Sequence, residues 1–568
     1  MSKIQSLQEK LRFLEVPHEG KPLTILRNPD LEPMPPNRRI WGFWSFFGYW
    51  AVPNITIWTW STGSAMLSLG LNIQQTMGAL TLGNVIICIY TCLNSGPGSK
   101  FHIGYTVCQR MIFGVYGSGL GIVIRIVLSI VFYGSQSWLG GVSIVVVLSS
   151  WSKSYMNMEN TFPDSLNMTT RDFIGFLVFQ IIQFFFYFMK PEKMNTWVNG
   201  SCFITLIAMM AIFGNCLARN GGPGPIWDQT VDMSAWTTGW MWLYSITIWY
   251  GALSPDVTNQ SDFSRFASSK KKMYLGIVVS LMTSGTFVPF MGLVTASTTS
   301  QLFDDEYWLP TDICLQWMSD NYSSGVRAAA FFCGFAFASS QLTFNVLANG
   351  FAGGMDLSGI CPRYINIFRG AIITALLSWC VQPWNFYNSS SVFINVMSSF
   401  GVVVTPIIAI IVADFHLVRK AKIPVSHLYT TDKDGTFYFT KGVNWRAICC
   451  FFAGVAPGIP GLIASVSDAE VKTNITDFFY NSTIFSFICP LILYYVVCLI
   501  FPVKNAGVMD KVDIFDAFTL DECSQLDMEP YGGSCEIEVI EGTSDGIKEK
   551  PSFEMNKKVD DRLEVTSV

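Results

Sequence analysis

Three stretches of this chain put amides, a carboxylate and aromatic rings where they could handle a small flat solute. In 132–138, FYGSQSW, Phe132 and Gln136 stand four apart and share one face of a helix. A ring beside a primary amide can stack a planar molecule and hydrogen-bond its edge; the competing reading is a packed aromatic with a helix-bridging amide. In the eighth apolar run Gln341, Asn345 and Asn349 recur every fourth residue, with Thr343 between them. Amides on such a helix need partners, either neighbouring helices, at roughly 1 kcal/mol per contact, or a ligand. In 240–266 an apolar run meets Ser254-Pro255-Asp256, then Asn259-Gln260-Ser261-Asp262 ahead of Arg265. Proline removes a backbone donor and clashes with the preceding turn, so the helix is expected to break there. A carboxylate and amides beside a break suit a small-solute site; a structural kink ending at a polar loop is the plainer alternative.

The elements that position these groups are membrane spans. Half of the 568 residues are hydrophobic and only 14% are charged, and the apolar residues come in repeated runs of about 20, the thickness of a bilayer core. Twelve spans are expected, near 43–69, 73–94, 117–149, 173–189, 197–216, 240–258, 273–296, 326–349, 369–384, 391–414, 444–466 and 482–502. The fold class is therefore an all-α polytopic membrane protein, with a polar segment at 1–42, a twelve-helix domain at 43–502 and an acidic tail at 503–568. Breaks at Pro53-Asn54 in span 1 and at Pro255 in span 6, five spans apart, suggest two five-helix repeats with two helices appended. Lys and Arg gather before span 1 and in alternate loops, which puts both termini in the cytoplasm. Sequons at Asn167, Asn321, Asn388 and Asn474 fall in the opposite loops.

Other classes find no support. From Asn505 onward 16 acidic residues face 6 basic ones, a composition expected to stay solvated and disordered; its Lys548, Lys550, Lys557 and Lys558 could accept ubiquitin. Nucleic-acid binding is not expected. Most cysteines lie in apolar runs, where they act as small hydrophobes, and the four histidines form no metal-ligand set. Gly117, Gly119 and Gly121 have no preceding strand, so they read as close helix packing. There is no Walker motif, no G-x-S-x-G and no channel filter. No metal, cofactor or enzymatic chemistry is expected.

Several segments resemble the fungal nucleobase–cation symporter-1 family, above all its branch of thiamine and nicotinamide riboside permeases. They are RNPDLEP (27–33), WGFWSFFGYW (41–50), GSKFHIGYTVCQRMIFGVYGS (98–118), NQSDFSRF (259–266), PRYINIFRG (362–370), PWNFYNSSS (383–391), SSFGVVVTPII (398–408) and FTKGVNWRA (439–447). The resemblance implies a five-plus-five inverted repeat with discontinuous helices 1 and 6, and proton-coupled uptake across the plasma membrane. Substrate would sit among spans 1, 3, 6, 8 and 10. Phe132, Gln136 and Asn349 align with positions that stack and hydrogen-bond the substrate ring; Asn345, Trp58 and Asp256 complete the candidate set. Uracil and allantoin relatives carry tryptophan where this chain has Phe132. The sodium-coupled bacterial relative has two hydroxyl residues where Thr343 and Phe344 align, and a phenyl ring cannot ligate sodium. Expected partners are thus a vitamin, nucleobase or nucleoside, protons and the lipid bilayer. Uracil, uridine or allantoin transport is the runner-up, and a non-transporting nutrient receptor is the alternative of another class.

Overall fold

Without water to take their hydrogen bonds, apolar segments must pair their N–H and C=O groups internally, which leaves helices as the economical solution. The computed structural model describes residues 15–16, 26–189, 194–467 and 472–531. The main helices are α1 Phe43–Asn54, α2 Ile57–Ala65, α3 Ile73–Asn94, α4 Gly119–Trp151, α5 Thr170–Phe186, α6 Asn195–Asn220, α7 Ala235–Thr258, α8 Gln260–Ser264 and α9 Lys270–Leu302. They continue with α10 Ser324–Phe344, α11 Ala352–Ile360, α12 Ser390–Val412, α13 Trp445–Val455, α14 Ile459–Ser467, α15 Ser482–Ile500 and α16 Leu520–Leu526. Seven helical stretches among the described residues are long and apolar enough to cross a bilayer, and α13 with α14, bent by 44°, makes an eighth. Phe185, Phe203, Ile207, Phe332, Leu499 and Ile500 are exposed around the bundle, an apolar surface of the kind lipid covers. The chain is an all-α, multi-span membrane protein.

Packing follows small residues. A Cβ on Gly292 of α9 would lie 2.4 Å from the Trp60 carbonyl, and one on Gly251 of α7 would lie 2.1 Å from that of Met397. These glycines let α9 close on α2 and α7 close on α12.

Both broken spans differ in detail from expectation. In span 1 the helix runs through Pro53 and stops after Asn54; α2 restarts at Ile57. The Thr56 and Thr59 hydroxyls donate to the Pro53 carbonyl at 2.9 and 2.6 Å, and Ser340 of α10 donates to that of Ile55 at 2.7 Å. Side chains thus satisfy the freed main chain. In span 6 the expected break at Pro255 is absent: α7 is helical to Thr258, and the interruption comes at Asn259, ahead of α8. The reason is local. Pro255 cannot donate to the Gly251 carbonyl, but the Ser254 hydroxyl does so at 2.9 Å. Nor does span 8 end at 349. It passes through a π-turn, Asn345–Phe351, into α11, and α12 likewise passes into a π-turn at Ala413–Val418.

The terminal segments meet at one end of the bundle. Asn28 donates to the Pro362 carbonyl at 2.8 Å, and Arg110 to that of Leu26 at 2.7 Å. Arg39 Nη1 reaches both Glu522 oxygens at 2.7 and 2.9 Å and the His102 ring at 2.6 Å. Burial pulls the His102 ring below its ordinary range. The tail was expected to be solvated from 503. Up to Tyr531 it instead carries a capped helix, Leu520–Leu526, and an Asp510 carboxylate that accepts from the Ser426 N–H at 2.9 Å. Its carboxylates find specific donors here, which composition alone cannot register. The remainder of the tail, with Lys548, Lys550, Lys557 and Lys558, lies outside the described residues. Asn167, Asn321, Asn388 and Asn474 are all exposed.

Candidate functional site

α4 supplies the centre of the site. Phe132 and Gln136 face inward on it, both buried. The Phe132 ring lies 5.0 Å from Trp58 of α2 and 4.4 Å from Phe400 of α12, measured between centroids, with the planes inclined by 32° and 50°. Trp58 in turn meets Phe393 edge-on at 5.8 Å. Gln136 is fully buried, yet neither Nε2 nor Oε1 has a protein partner. Buried amides without partners are costly, and Gln109, Gln260 and Gln341 are buried in the same state; Gln136 is the one of the four beside the Phe132 ring on α4. The break in span 1 is what brings the start of α2, and Trp58 with it, to Phe132.

The π-turn supplies the amides of α10. Asn345 Nδ2 donates to the Tyr133 carbonyl at 3.1 Å and to Ser137 Oγ at 2.8 Å, and its Oδ1 accepts from Asn349 Nδ2 at 2.9 Å. Asn345 therefore ties α10 to α4 and orients Asn349. Gln341, one turn earlier, is buried with both amide atoms unpartnered; the polar stripe in the sequence pointed to it. Thr343 is helix glue, hydrogen-bonded to Ser201 of α6 at 2.8 Å.

Asp256 stands apart from the aromatic group. Its neighbour in charge is Arg125, seven residues before Phe132 on α4 and hence about two helical turns away. Arg125 Nε is 3.9 Å from Asp356 of α11, whose two carboxylate oxygens accept no hydrogen bond. The Asn259 amide, at the interruption of span 6, lies 2.6 Å from Arg125 Nη2 and 2.9 Å from the Asp256 carbonyl, and with its oxygen turned to the guanidinium it accepts from the first and donates to the second. Close by, Asp262 Oδ1 accepts from the Tyr105 N–H at 2.8 Å, and Arg265 Nε donates to the Asp262 carbonyl at 3.1 Å. Three carboxylates and two guanidiniums are thus buried together. Sequence reasoning missed Asp356, although a carboxylate in the apolar run FAGGMDLSGI was a usable signal. It also missed Phe393 and Phe400, which look like ordinary apolar residues in their helix.

Known proteins share this sequence pattern and fold. A family model described as permease for cytosine/purines, uracil, thiamine, allantoin matches residues 33–484. The thiamine transporter THI72 of Saccharomyces cerevisiae is 43% identical over 536 residues, which cover 94% of this chain and 89% of the relative. Nicotinamide riboside transporter 1 of the same yeast is 43% identical over 532 residues, 93% and 89% of the two chains. Among solved structures, Mhp1, a nucleobase-cation-symport-1 family transporter in a closed conformation with bromovinylhydantoin bound, shares the fold. Its TM-score is 0.67 at 19% identity, over 85% of this chain and 98% of that one.

Proposed function

We propose that this chain, which belongs to the family of permeases for cytosine/purines, uracil, thiamine and allantoin, brings a small planar organic cation into the cell together with protons. It is a membrane transporter, not an enzyme. The observation that carries the substrate reading is the buried, unpartnered Gln136 amide one turn from a phenyl face flanked by Trp58 and Phe400. Ring faces attract cations once water is excluded, and thiamine and nicotinamide riboside each hold a permanently charged ring. Relatives named for those two solutes support them as the leading candidates. Asp304-Asp305-Glu306, in the loop ahead of Trp308, has the sign to draw a cation in. A neutral ring, uracil, uridine or allantoin, is the second reading, because Gln136 offers a free donor and a free acceptor together.

The charge cluster supports protons as the coupling ion. With three carboxylates against two guanidiniums, one negative charge is left over, and a buried excess charge is costly unless a cation answers it. Taking up and releasing a proton at Asp356 or Asp256 as the cavity opens to either side would couple the two fluxes. Sodium is disfavoured by Phe344 and by the engagement of Thr343 with Ser201.

To the seven long spans and the bent pair we add the two-piece first span, α5, α7 and the apolar helix Ile367–Val381, and read the whole as twelve crossings. Two inverted five-helix repeats with two further helices is our reading of them. The end that holds the terminal segments is the basic one, which supports a cytoplasmic location for it and a plasma-membrane site of action. Uptake of labelled thiamine and nicotinamide riboside into transporter-deficient cells, with and without a proton uncoupler, tests the whole reading. If uracil competes and neither cation does, the cationic substrate is wrong; if the uncoupler changes nothing, the proton is.

A further inference from the structure

The path into the site from the loop end is closed by aromatic rings. After the short helix Ile367–Leu377 the backbone turns at Gln382, whose φ is 52°, into a 3-10 turn, Pro383–Tyr387. The turn sits close on α4 because Gly134 has no side chain: a Cβ there would lie 3.5 Å from Pro383 and 3.0 Å from the Ser378 carbonyl. This close seat brings the Tyr387 hydroxyl to 2.6 Å from Ser135 Oγ, the neighbour of Gln136. The Tyr387 ring lies parallel to Trp308, planes inclined by 10° at 6.2 Å, and 5.5 Å from Phe393; Trp308 is also 5.5 Å from Phe393. Trp308 and Tyr387 are half-buried, Phe393 is fully buried, and Phe393 touches Trp58. The rings therefore run without interruption from the loop surface down to Phe132.

We propose that Tyr387 is the positioning residue that shuts the site on the outer side, clamped by its hydrogen bond to Ser135 and braced by Trp308 and Phe393. The inference rests on the site and orientation argued above, but not on which solute is carried. Along this line of rings a solute passes between the loop surface and Phe132 only if they separate. The Tyr387–Ser135 bond is the one polar link among them, and it joins the loop turn directly to the helix that carries Gln136. Its loss favours the open form by the worth of one hydrogen bond, about fivefold in the population.

The test uses the full chain in intact cells, with Cys380→Ser removing an exposed native thiol near the lid and Phe400→Cys placing a thiol beneath it. The readout is the rate of labelling by a membrane-impermeant maleimide added outside. Ser135→Ala and Tyr387→Phe should each raise that rate by about fivefold, with no further gain when combined, and Tyr387→Ala should raise it more. In the native background Tyr387→Phe should change KM, which a simple loss of protein from the surface would leave unchanged. Equal labelling in all variants that reach the surface, or additive effects of the two conservative changes, would overturn the proposal. Because Ser135→Ala and Tyr387→Phe keep all the rings, they decide the matter even if Tyr387→Ala fails to fold. Altered labelling in these variants, with no uptake of either vitamin by the native chain, would refute the substrate reading and leave the lid standing.

Discussion

Gln136→Met should make the empty protein more stable and the transporter inactive. The wild-type side chain buries one donor and one acceptor with no protein partner. Each unpaired group costs about 1–3 kcal/mol. Methionine has nearly the same length and shape and no such groups, so the solute-free variant should gain on the order of 2 kcal/mol. Solute reverses the order: at a concentration of about 100 times Kd the wild type gains about 2.7 kcal/mol by mass action, and the variant gains nothing. Thermal unfolding of solubilised protein followed with a thiol-reactive dye suits the experiment, since Cys108, Cys202 and Cys314 are buried until the fold opens. The expected pattern is a higher Tm for the variant alone, a lower or equal one with thiamine or nicotinamide riboside present, and no uptake. A lower Tm for the solute-free variant would show that the amide is already satisfied, and retained uptake would show that it does not touch the solute.

Arg125→Gln should cost about 3–5 kcal/mol, the penalty for stranding buried carboxylates, read as a lower Tm and poor surface expression. Adding Asp356→Asn should return part of that loss, and no recovery would mean the two do not share a charge balance. Ser254→Ala removes the donor that serves the Gly251 carbonyl, at a cost of about 1–3 kcal/mol. Hydrogen exchange should then quicken in 255–259, and unchanged exchange would refute the account of the continuous helix. Burial holds the His102 ring below its ordinary range, so its contribution is complete above about pH 6.5 and is lost as pH falls through the lowered value. Protonation would take one acceptor from Arg39 and set a cationic ring against its guanidinium, leaving Glu522 to hold it alone, so limited proteolysis within 503–531 should accelerate in acid. His102→Gln should flatten that dependence; an equally steep one would place the titrating group elsewhere.

What the sequence revealed depended on the range of the interaction. Apolar runs of bilayer length identified the helices, because that preference is local. The break in span 1 was legible near Pro53-Asn54, although the helix runs through the proline and the interruption falls just beyond it, where Thr56 caps the restart at Ile57. Span 6 carried the same signal, but the hydroxyl of Ser254 cancels it, and a dipeptide pattern does not weigh a side chain that mimics an N–H. The π-turns left no trace, because one extra residue per turn barely disturbs a hydrophobic pattern. Phe132 and Gln136 could be picked out by spacing, whereas Phe393 and Phe400 resemble any buried phenylalanine until the fold sets them against Trp58 and Phe132. The charge cluster combines α4, α7, α8 and α11, so only its members, not their meeting, could be read in advance.

The gap between α1 and α2 has a mechanical consequence. Its carbonyls are held by Thr56, Thr59 and Ser340, whose hydroxyls swivel about a single bond, whereas an ordinary helical turn is held by N–H groups fixed in the main chain. Hydroxyls that rotate can follow a carbonyl through a change of angle between the two rods, which a main-chain N–H cannot. The joint at Ile55-Thr56 is therefore a place where the chain can change direction without stranding a main-chain oxygen, because side chains and not the helix ladder hold it.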